Sequence, residues 1–287
     1  MKGIMATTSD RIDLLEREAQ QLLSFLHGLS LEEWQAASAC AGWTIADVVG
    51  HLTSVDLANR MLRGLDGDHS PPEGSPAPEQ HDESAFAQSI YQRAIDASSR
   101  LGDGLLDDFA QRIDEAIALF RQVPSDRWHN LVYWPPGPLT MDTLLTQRIA
   151  ELTMHAWDIR SRLESDYHLS DGSVAALLDT VGRAARRAFR PDPSLRDHPF
   201  RYRFQITGPE ARVIDLVLSD AMAEIAEQSP SVLSEPAHVT FECGGETCVL
   251  VVYGRLTPND ALTDGRLRVV DGEVVLAAAF GDRFVGG

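Results

Sequence analysis

The spacing of apolar residues changes once along this chain, and that change most constrains its fold. Over the first 165 residues, Leu, Ile, Val and Ala recur every three or four positions, the period of an amphipathic helix. Further on, short apolar segments separated by Gly and Pro are typical of strands. A helical half followed by a mixed half predicts an α+β chain of two domains, with bounds 1–165 and 166–287.

The first half carries start and stop signals for four substantial helices, enough for a four-helix bundle. Ser30 and Thr44 are each followed three residues later by an acid, which is typical of a helix start. The expected helices cover 10–27, 45–64, 83–123 with an interruption at 102–104, and 141–163. In the second half we expect helices over 174–189 and 273–280, strands over 201–206, 211–218, 238–242 and 267–270, and an ambiguous segment over 247–253.

The charge of the chain restricts its partners. There are 25 basic and 43 acidic residues, a formal net charge of −18. Such a surface repels phosphate backbones and anionic lipid, which argues against nucleic acid or a membrane surface as the main partner. The sequence has no apolar run of about 18 residues and no signal-peptide core at its start. Three cysteines without a CxxC pair are typical of reduced thiols, so we expect a cytoplasmic protein.

Two residues of the last predicted bundle helix have the spacing of metal ligands. Glu151 and His155 are four positions apart, so their side chains share one helix face and can bind one divalent cation. His51, a histidine among apolar residues, is the candidate for a third ligand from another helix. Two histidines and a carboxylate leave coordination positions open for water, thiolate or substrate. The spacing also allows a plainer interpretation, in which Glu151 pairs with Arg148 and His51 is a core histidine.

The cysteines allow fewer roles. Cys40 precedes His51 by eleven residues and is either a reactive thiol or a small residue packing beneath Trp43. Cys243 and Cys248 have no nearby histidine and are interpreted as structural. Motifs of serine hydrolases, dinucleotide-binding folds and P-loops are absent from the sequence.

Two segments, taken together, resemble the hallmarks of a known family. They are Cys40–Leu52, which reads CAGWTIADVVGHL, and Glu151–Asp158, which reads ELTMHAWD. Both resemble the mycothiol-dependent maleylpyruvate isomerase family, whose N-terminal domain is a DinB-like four-helix bundle that binds metal. The later segments Phe204–Pro209 and Tyr253–Leu256 resemble its smaller C-terminal α+β domain.

The resemblance implies a divalent metal, usually zinc, held by His51, Glu151 and His155. It also implies that the cosubstrate is mycothiol, a low-molecular-weight thiol of actinobacteria. A thiol bound to the open metal position is deprotonated, and the thiolate attacks an electrophilic carbon of a small molecule. If it adds to a conjugated cis double bond, the new single bond can rotate, and elimination returns the trans isomer and free thiol. If a leaving group is displaced or the adduct persists, the enzyme is an S-transferase.

Several other residues are weaker candidates for a part in the site. Arg148, Arg203 and Arg255 are candidates for binding carboxylates of the substrate. Asp47, one turn before His51, either orients that histidine or only caps its helix. The alternatives to thiol chemistry are a metal-assisted hydrolase and a ligand-binding or regulatory module, and dependence of turnover on thiol distinguishes them. We expect a monomer or a homodimer.

Overall fold

The computed structural model describes residues 7–228 and 235–284. The chain forms two compact units, of which the first ends at Tyr167 and the second begins at His168. A helical first part and a sheet-containing second part confirm the predicted α+β fold class. Within the described residues, we find no helix with an apolar stretch sufficient to cross a membrane.

The first unit is built mainly from long helices whose starts match the predicted capping signals. The side chains of Ser30, Thr44 and Thr140 each accept a hydrogen bond from the backbone N–H three residues later. The elements are α1 (Thr8–His27), α2 (Leu31–Trp34), α3 (Ile45–Thr53), α4 (Leu57–Leu65), α5 (Glu83–Leu101), α6 (Leu105–Gln122), β1 (Leu131–Val132), β2 (Leu139–Thr140) and α7 (Met141–Arg160).

The helix predicted over 45–64 is in fact two helices, because a second cap interrupts it. The side chain of Asp56 accepts a hydrogen bond from the N–H of Asn59 and starts α4. Just before it, the Ser54 hydroxyl donates to the carbonyl oxygen of His51 at 2.8 Å. The break places His51 in the last turn of α3.

The helix α3 lies at the centre of the unit, in contact with α5, α6 and α7, while α1 packs on α6 and α7. Its apolar side chains Val48, Val49 and Leu52 are buried. A Cβ atom added at Gly50 would lie 2.4 Å from the carbonyl oxygen of Ala94, so only glycine allows α5 to cross this close. The crossing lies next to His51.

The second unit contains a five-stranded sheet with the order β5-β4-β3-β6-β7. Strands β3 and β6 are parallel, and the other neighbours are antiparallel. Buried aromatic rings, including Tyr202, Phe204, Phe241 and Phe280, form its core. The elements are α8 (Asp171–Leu178), α9 (Val181–Ala188), β3 (Phe200–Thr207), β4 (Arg212–Leu218), β5 (Ala223–Gln228), β6 (Val239–Gly244), α10 (Gly245–Val252), α11 (Pro258–Thr263), β7 (Leu267–Gly272) and α12 (Val274–Ala278).

Three expectations for this unit change. The helix predicted over 174–189 is divided into α8 and α9. The ambiguous segment is the helix α10. The sequence interpretation missed β5, which lies at an edge of the sheet, and charged residues such as Glu224 are typical of edge strands.

The two cysteines of this unit lie inside it, as free buried thiols. A hydrogen bond with Cys243, together with burial, raises the pKa of Cys248 well above its ordinary value. A buried thiol that stays protonated is unreactive, which agrees with the structural role inferred from the sequence.

Candidate metal centre

The three ligands predicted from the sequence meet between α3 and α7. His51 comes from the last turn of α3, and Glu151 and His155 lie one turn apart on α7. The Nε2 atom of His51 is 3.3 Å from Oε2 of Glu151, and Nε2 of His155 is 3.6 Å from the same oxygen. One potential ligand atom from each residue lies within 4.8 Å of the others.

These separations can be compared with those of a metal site. Zinc bound tetrahedrally to nitrogen and oxygen at about 2.0 to 2.2 Å has ligand atoms about 3.3 to 3.5 Å apart. The distances of 3.3 and 3.6 Å in this cluster are close to that value. Two imidazole nitrogens and one carboxylate oxygen are also a donor set that zinc accepts. The residues therefore fit a divalent metal with one position left open.

The protonation of His51 and Glu151 suits metal binding. Burial lowers the pKa of His51, which favours the neutral imidazole with a free lone pair. Burial alone would raise the pKa of Glu151, but hydrogen bonds with His155 and His51 outweigh it and hold that pKa well below the ordinary value. The cluster thus offers one anionic and one neutral donor before any metal enters.

The orientation of His155 is set from behind by a buried carboxylate. Its Nδ1 atom is 2.9 Å from Oδ2 of Asp158, a residue with no exposed surface. An N–H on Nδ1 directed at Asp158 leaves Nε2 free to face Glu151. Burial opposes the charged form of this histidine, but hydrogen bonds with Asp158, Cys40 and Glu151 raise its pKa well above the ordinary value.

The sequence interpretation did not assign Asp158 a role. Its signal was the spacing, because an aspartate three positions after His155 shares that helix face. Cys40 lies on the same side, and its Sγ atom donates to Oδ2 of Asp158 at 3.0 Å and is 3.9 Å from Nδ1 of His155. Cys40 therefore lies behind the histidine ring, opposite the Nε2 atom that would bind metal.

The centre is open on one side and lined by aromatic rings on another. The side chain of Glu151 is 32% exposed, against 13% for His51 and 11% for His155. The ring of Trp43 lies 5.3 Å from that of His51, and the Tyr91 ring stacks on Trp43 at 6.0 Å. We call Trp43 and Tyr91 the aromatic wall. The most exposed part of the centre is therefore the carboxylate of Glu151.

Asp47, a weaker candidate near the centre, has contacts of a structural kind. Both carboxylate oxygens of Asp47 accept hydrogen bonds, one from the backbone and side chain of Thr44 and the other from the Ser98 hydroxyl at 2.6 Å. Asp47 thus caps α3 and links it to α5. The Nδ1 atom of His51 has no hydrogen-bond partner among the described residues. A role for Asp47 in orienting His51 stays a prediction.

Arg148 connects the two helices of the centre. Its guanidinium donates to the carbonyl oxygen of Leu52, the residue after His51, at 3.2 Å. No ion pair joins it to Glu151 within the described residues, so the simple pairing considered from the sequence is not what holds Glu151. Burial lowers the pKa of Arg148.

The candidate substrate ligands Arg203 and Arg255 both belong to the second unit. Arg203 is buried and forms two hydrogen bonds with Asp215, at 2.7 and 2.8 Å. Its Nη2 atom also donates to the carbonyl oxygen of Glu235. Arg255 donates to the carbonyl oxygen of Tyr253 at 3.0 Å. The roles of both residues toward substrate stay predictions.

The comparisons with known proteins point to one family. A family model described as mycothiol maleylpyruvate isomerase N-terminal domain matches residues 15–160, a segment that contains all three candidate ligands. Two solved structures, of the mycothiol-dependent maleylpyruvate isomerase and of a histidine-to-alanine mutant of it, are similar in fold. Each has a TM-score of 0.62 and 14% sequence identity, over 93% of this chain and 94% of theirs. The comparison with curated proteins gives no match. Since the matched segment covers more than half of the sequence, this chain belongs to the mycothiol maleylpyruvate isomerase family.

Proposed function

We propose that this protein is a mycothiol-dependent isomerase with a divalent metal centre, acting on a small cis-unsaturated substrate. Membership of the family supports a thiol-dependent isomerase. The proposal of a metal centre rests on one observation. The Nε2 atoms of His51 and His155 lie 3.3 and 3.6 Å from the same carboxylate oxygen of Glu151. Zinc is the metal we favour, because it takes this donor set and commonly keeps a fourth position for a ligand.

Each of the three residues has a distinct part in holding the metal. Glu151 supplies the negative charge, and His51 supplies a neutral nitrogen. His155 is aimed by Asp158, so that its Nε2 faces the carboxylate of Glu151. A divalent cation bound by these side chains supplies the charge that favours thiolate over thiol at neutral pH.

The surroundings complete the proposed site. The Trp43 ring lies beside the rings of both His51 and His155, at 5.3 and 6.4 Å, and an apolar surface on that side strengthens electrostatic interactions at the centre. Glu151 borders the open side, where thiol and substrate have access. Arg148 links the two ligand-bearing helices α3 and α7, and the close crossing at Gly50 fixes α3 against α5.

The metal is tested first, by elemental mass spectrometry on the purified protein beside the variant His51→Ala. We expect about one zinc per chain in the natural protein and little in the variant. Mycothiol is then titrated calorimetrically into both proteins. Binding of mycothiol that disappears with the metal supports the proposal, whereas equal metal content in both proteins contradicts the ligand assignment.

The reaction is tested with maleylpyruvate, the compound for which the family is named. We expect conversion to the trans isomer only when mycothiol is present, with no net consumption of thiol. Net consumption of thiol would indicate an S-transferase instead. Loss of maleylpyruvate to cleavage products without thiol would indicate metal-assisted hydrolysis. Metal binding without any turnover of this compound would leave either another electrophile or a binding module, which a screen of unsaturated acids separates.

A further inference from the structure

The turn Ser38–Trp43, between α2 and α3, carries one ring of the aromatic wall and is fixed by hydrogen bonds within itself. The N–H of Ser38 donates to the carbonyl oxygen of Trp43 at 3.0 Å, and the N–H of Trp43 donates to the carbonyl oxygen of Cys40 at 3.1 Å. The hydroxyl of Ser38, a buried residue, accepts a hydrogen bond from the N–H of Cys40 at 3.1 Å. These contacts hold the backbone of Cys40 in one conformation.

This turn contacts α7 at Asp158, through both its backbone and a side chain. The N–H of Ala39 donates to the carbonyl oxygen of Asp158 at 2.8 Å. The next residue, Cys40, donates its S–H to Oδ2 of the same aspartate at 3.0 Å. Asp158 has no exposed surface, and a buried carboxylate is costly unless it accepts hydrogen bonds. The backbone contact sets where the turn lies, so the thiol is held against the carboxylate.

The oxygen that accepts from Cys40 is also the one that orients His155. The Nδ1 atom of His155 lies 2.9 Å from Oδ2 of Asp158, and Sγ of Cys40 lies 3.9 Å from the same Nδ1. Oδ2 is thus shared by the thiol and the imidazole. The torsion about the Cβ–Cγ bond of an aspartate is soft, and a hydrogen bond from the thiol restrains it. The direction in which Oδ2 faces His155 therefore depends on Cys40.

The chemistry of a thiol suits this task. An S–H is a weak, neutral donor on a small side chain. It directs the carboxylate of Asp158 without forming the ion pair that a lysine or arginine would form. The negative charge of Asp158 stays available to the ring N–H of His155, and a carboxylate in that position makes the opposite ring nitrogen a better metal ligand.

We propose that Cys40 is a positioning residue, which acts through Asp158 to fix the orientation of His155 with Nε2 toward Glu151. Its value for metal binding rests on the proposed function. The sequence allowed Cys40 two other roles, a reactive thiol or a packing residue beneath Trp43. A packing residue is replaced equally well by alanine and serine, a positioning residue by serine only, and a reactive or metal-binding thiol by neither.

The first measurement is the ring N–H of His155 in metal-free protein, by NMR of the full chain with isotope-labelled histidine. The variant His155→Ala identifies the signal. We expect the signal in the natural protein and in Cys40→Ser, whose hydroxyl also donates to a carboxylate. In Cys40→Ala, exchange of this proton with water should be about 5- to 10-fold faster, the effect of losing one hydrogen bond. The control is Cys243→Ala, which removes a buried thiol from β6 in the second unit and should leave the signal unchanged.

The second measurement is metal affinity, by competition with a chromogenic chelator. We expect Cys40→Ala to bind zinc about 3- to 10-fold more weakly, less than the loss typical of a residue that contacts a ligand directly, and Cys40→Ser to stay within about 2-fold of the natural protein. Cys40, His155 and Asp158 also offer ligand atoms within 4.8 Å of one another, so direct binding by the thiol is tested with cobalt(II). The cobalt-loaded natural protein should lack the near-ultraviolet band of a cobalt–thiolate bond.

Three results would overturn the proposal. Equal exchange rates and equal metal affinities in the alanine and serine variants would leave Cys40 a packing residue. A cobalt–thiolate band that both substitutions abolish would make Cys40 a metal ligand. Absence of the ring N–H signal from the natural protein would contradict the tautomer of His155 that Asp158 is inferred to hold.

The outcome for Cys40 can be separated from the outcome for the metal. If the exchange rates behave as expected but no protein binds metal, the proposed function fails while the positioning of His155 by Cys40 stands. If metal binds and depends on His51 but neither measurement responds to Cys40→Ala, the positioning role alone fails. If Cys40→Ala does not fold, Cys40→Val takes its place, because valine fills the space of the thiol without supplying a donor.

Discussion

Each of the two units buries a cluster of charged side chains, and the two clusters differ in how completely they are paired. In the second unit, Asp215 has no exposed surface and accepts hydrogen bonds from Arg203 and from Arg201, at 2.7 to 2.9 Å. The spare donor of Arg203 reaches the carbonyl oxygen of Glu235. The hydrogen bonds of this cluster are thus made to other groups of the protein.

The cluster of the first unit, around His51 and Glu151, is less completely hydrogen-bonded. The Nδ1 atom of His51, Nε of Arg148 and Nε1 of Trp43 are buried, yet none has a hydrogen-bond partner among the described residues. Glu151 is partly exposed although two histidines hold it as a carboxylate. Buried polar groups are normally satisfied, so an incompletely satisfied cluster indicates a ligand site, whereas a complete one indicates a structural role.

The largest effect is expected from His51→Ala. It removes one of the three proposed metal ligands, so metal affinity should fall by more than about 100-fold and thiol-dependent turnover should fall to background. The fold should persist, because His51 leaves no buried partner stranded except Glu151, which is exposed enough to be hydrated. Metal content and circular dichroism measure the two effects.

A matched control for that change is His27→Ala, which removes an exposed histidine from the end of α1. It should alter neither metal content nor turnover. Full metal occupancy in His51→Ala would show that the first cluster is a paired network like that of Asp215, and the contrast between the units would disappear.

The second effect is on stability alone and concerns the paired cluster. Asp215→Ala leaves the Arg203 guanidinium buried without its carboxylate, which should lower the free energy of unfolding by about 3 to 5 kcal/mol. Chemical denaturation measures this loss. The metal content of folded protein should not change, and a loss of metal would argue that Asp215 has a part in the site.

The third effect is expected from Asp158→Asn, which weakens the hold on His155 without removing a ligand. An amide does not fix the Nδ1–H tautomer as a carboxylate does, so metal affinity should fall about 10- to 100-fold. A competition titration with a chromogenic chelator measures it. Asp142→Asn, at the start of the same helix and paired with Arg11, is the control that should leave metal affinity unchanged.

The sequence indicated the three candidate ligands better than it indicated the contacts around them. His51, Glu151 and His155 could be found because helical spacing and a resemblance converge on them. The break between α3 and α4 was missed, because a single aspartate cap overrides a continuous apolar pattern. The link from Asp158 to Cys40 joins residues 118 positions apart, so it has no signal in local spacing.

The smallest effect concerns Asp47. The sequence allowed two roles for this residue, and its observed contacts are those of the capping role. Its carboxylate binds Thr44 and Ser98, so Asp47→Ala should lower the free energy of unfolding by about 1 to 2 kcal/mol. Thr44→Ala breaks the same cap and should cost about 1 kcal/mol. If Asp47 only caps the helix, both variants keep the metal affinity of the natural protein. If Asp47 also orients His51, metal affinity falls about 10-fold or more in Asp47→Ala but not in Thr44→Ala. A loss of stability alone would not distinguish the two variants in this way.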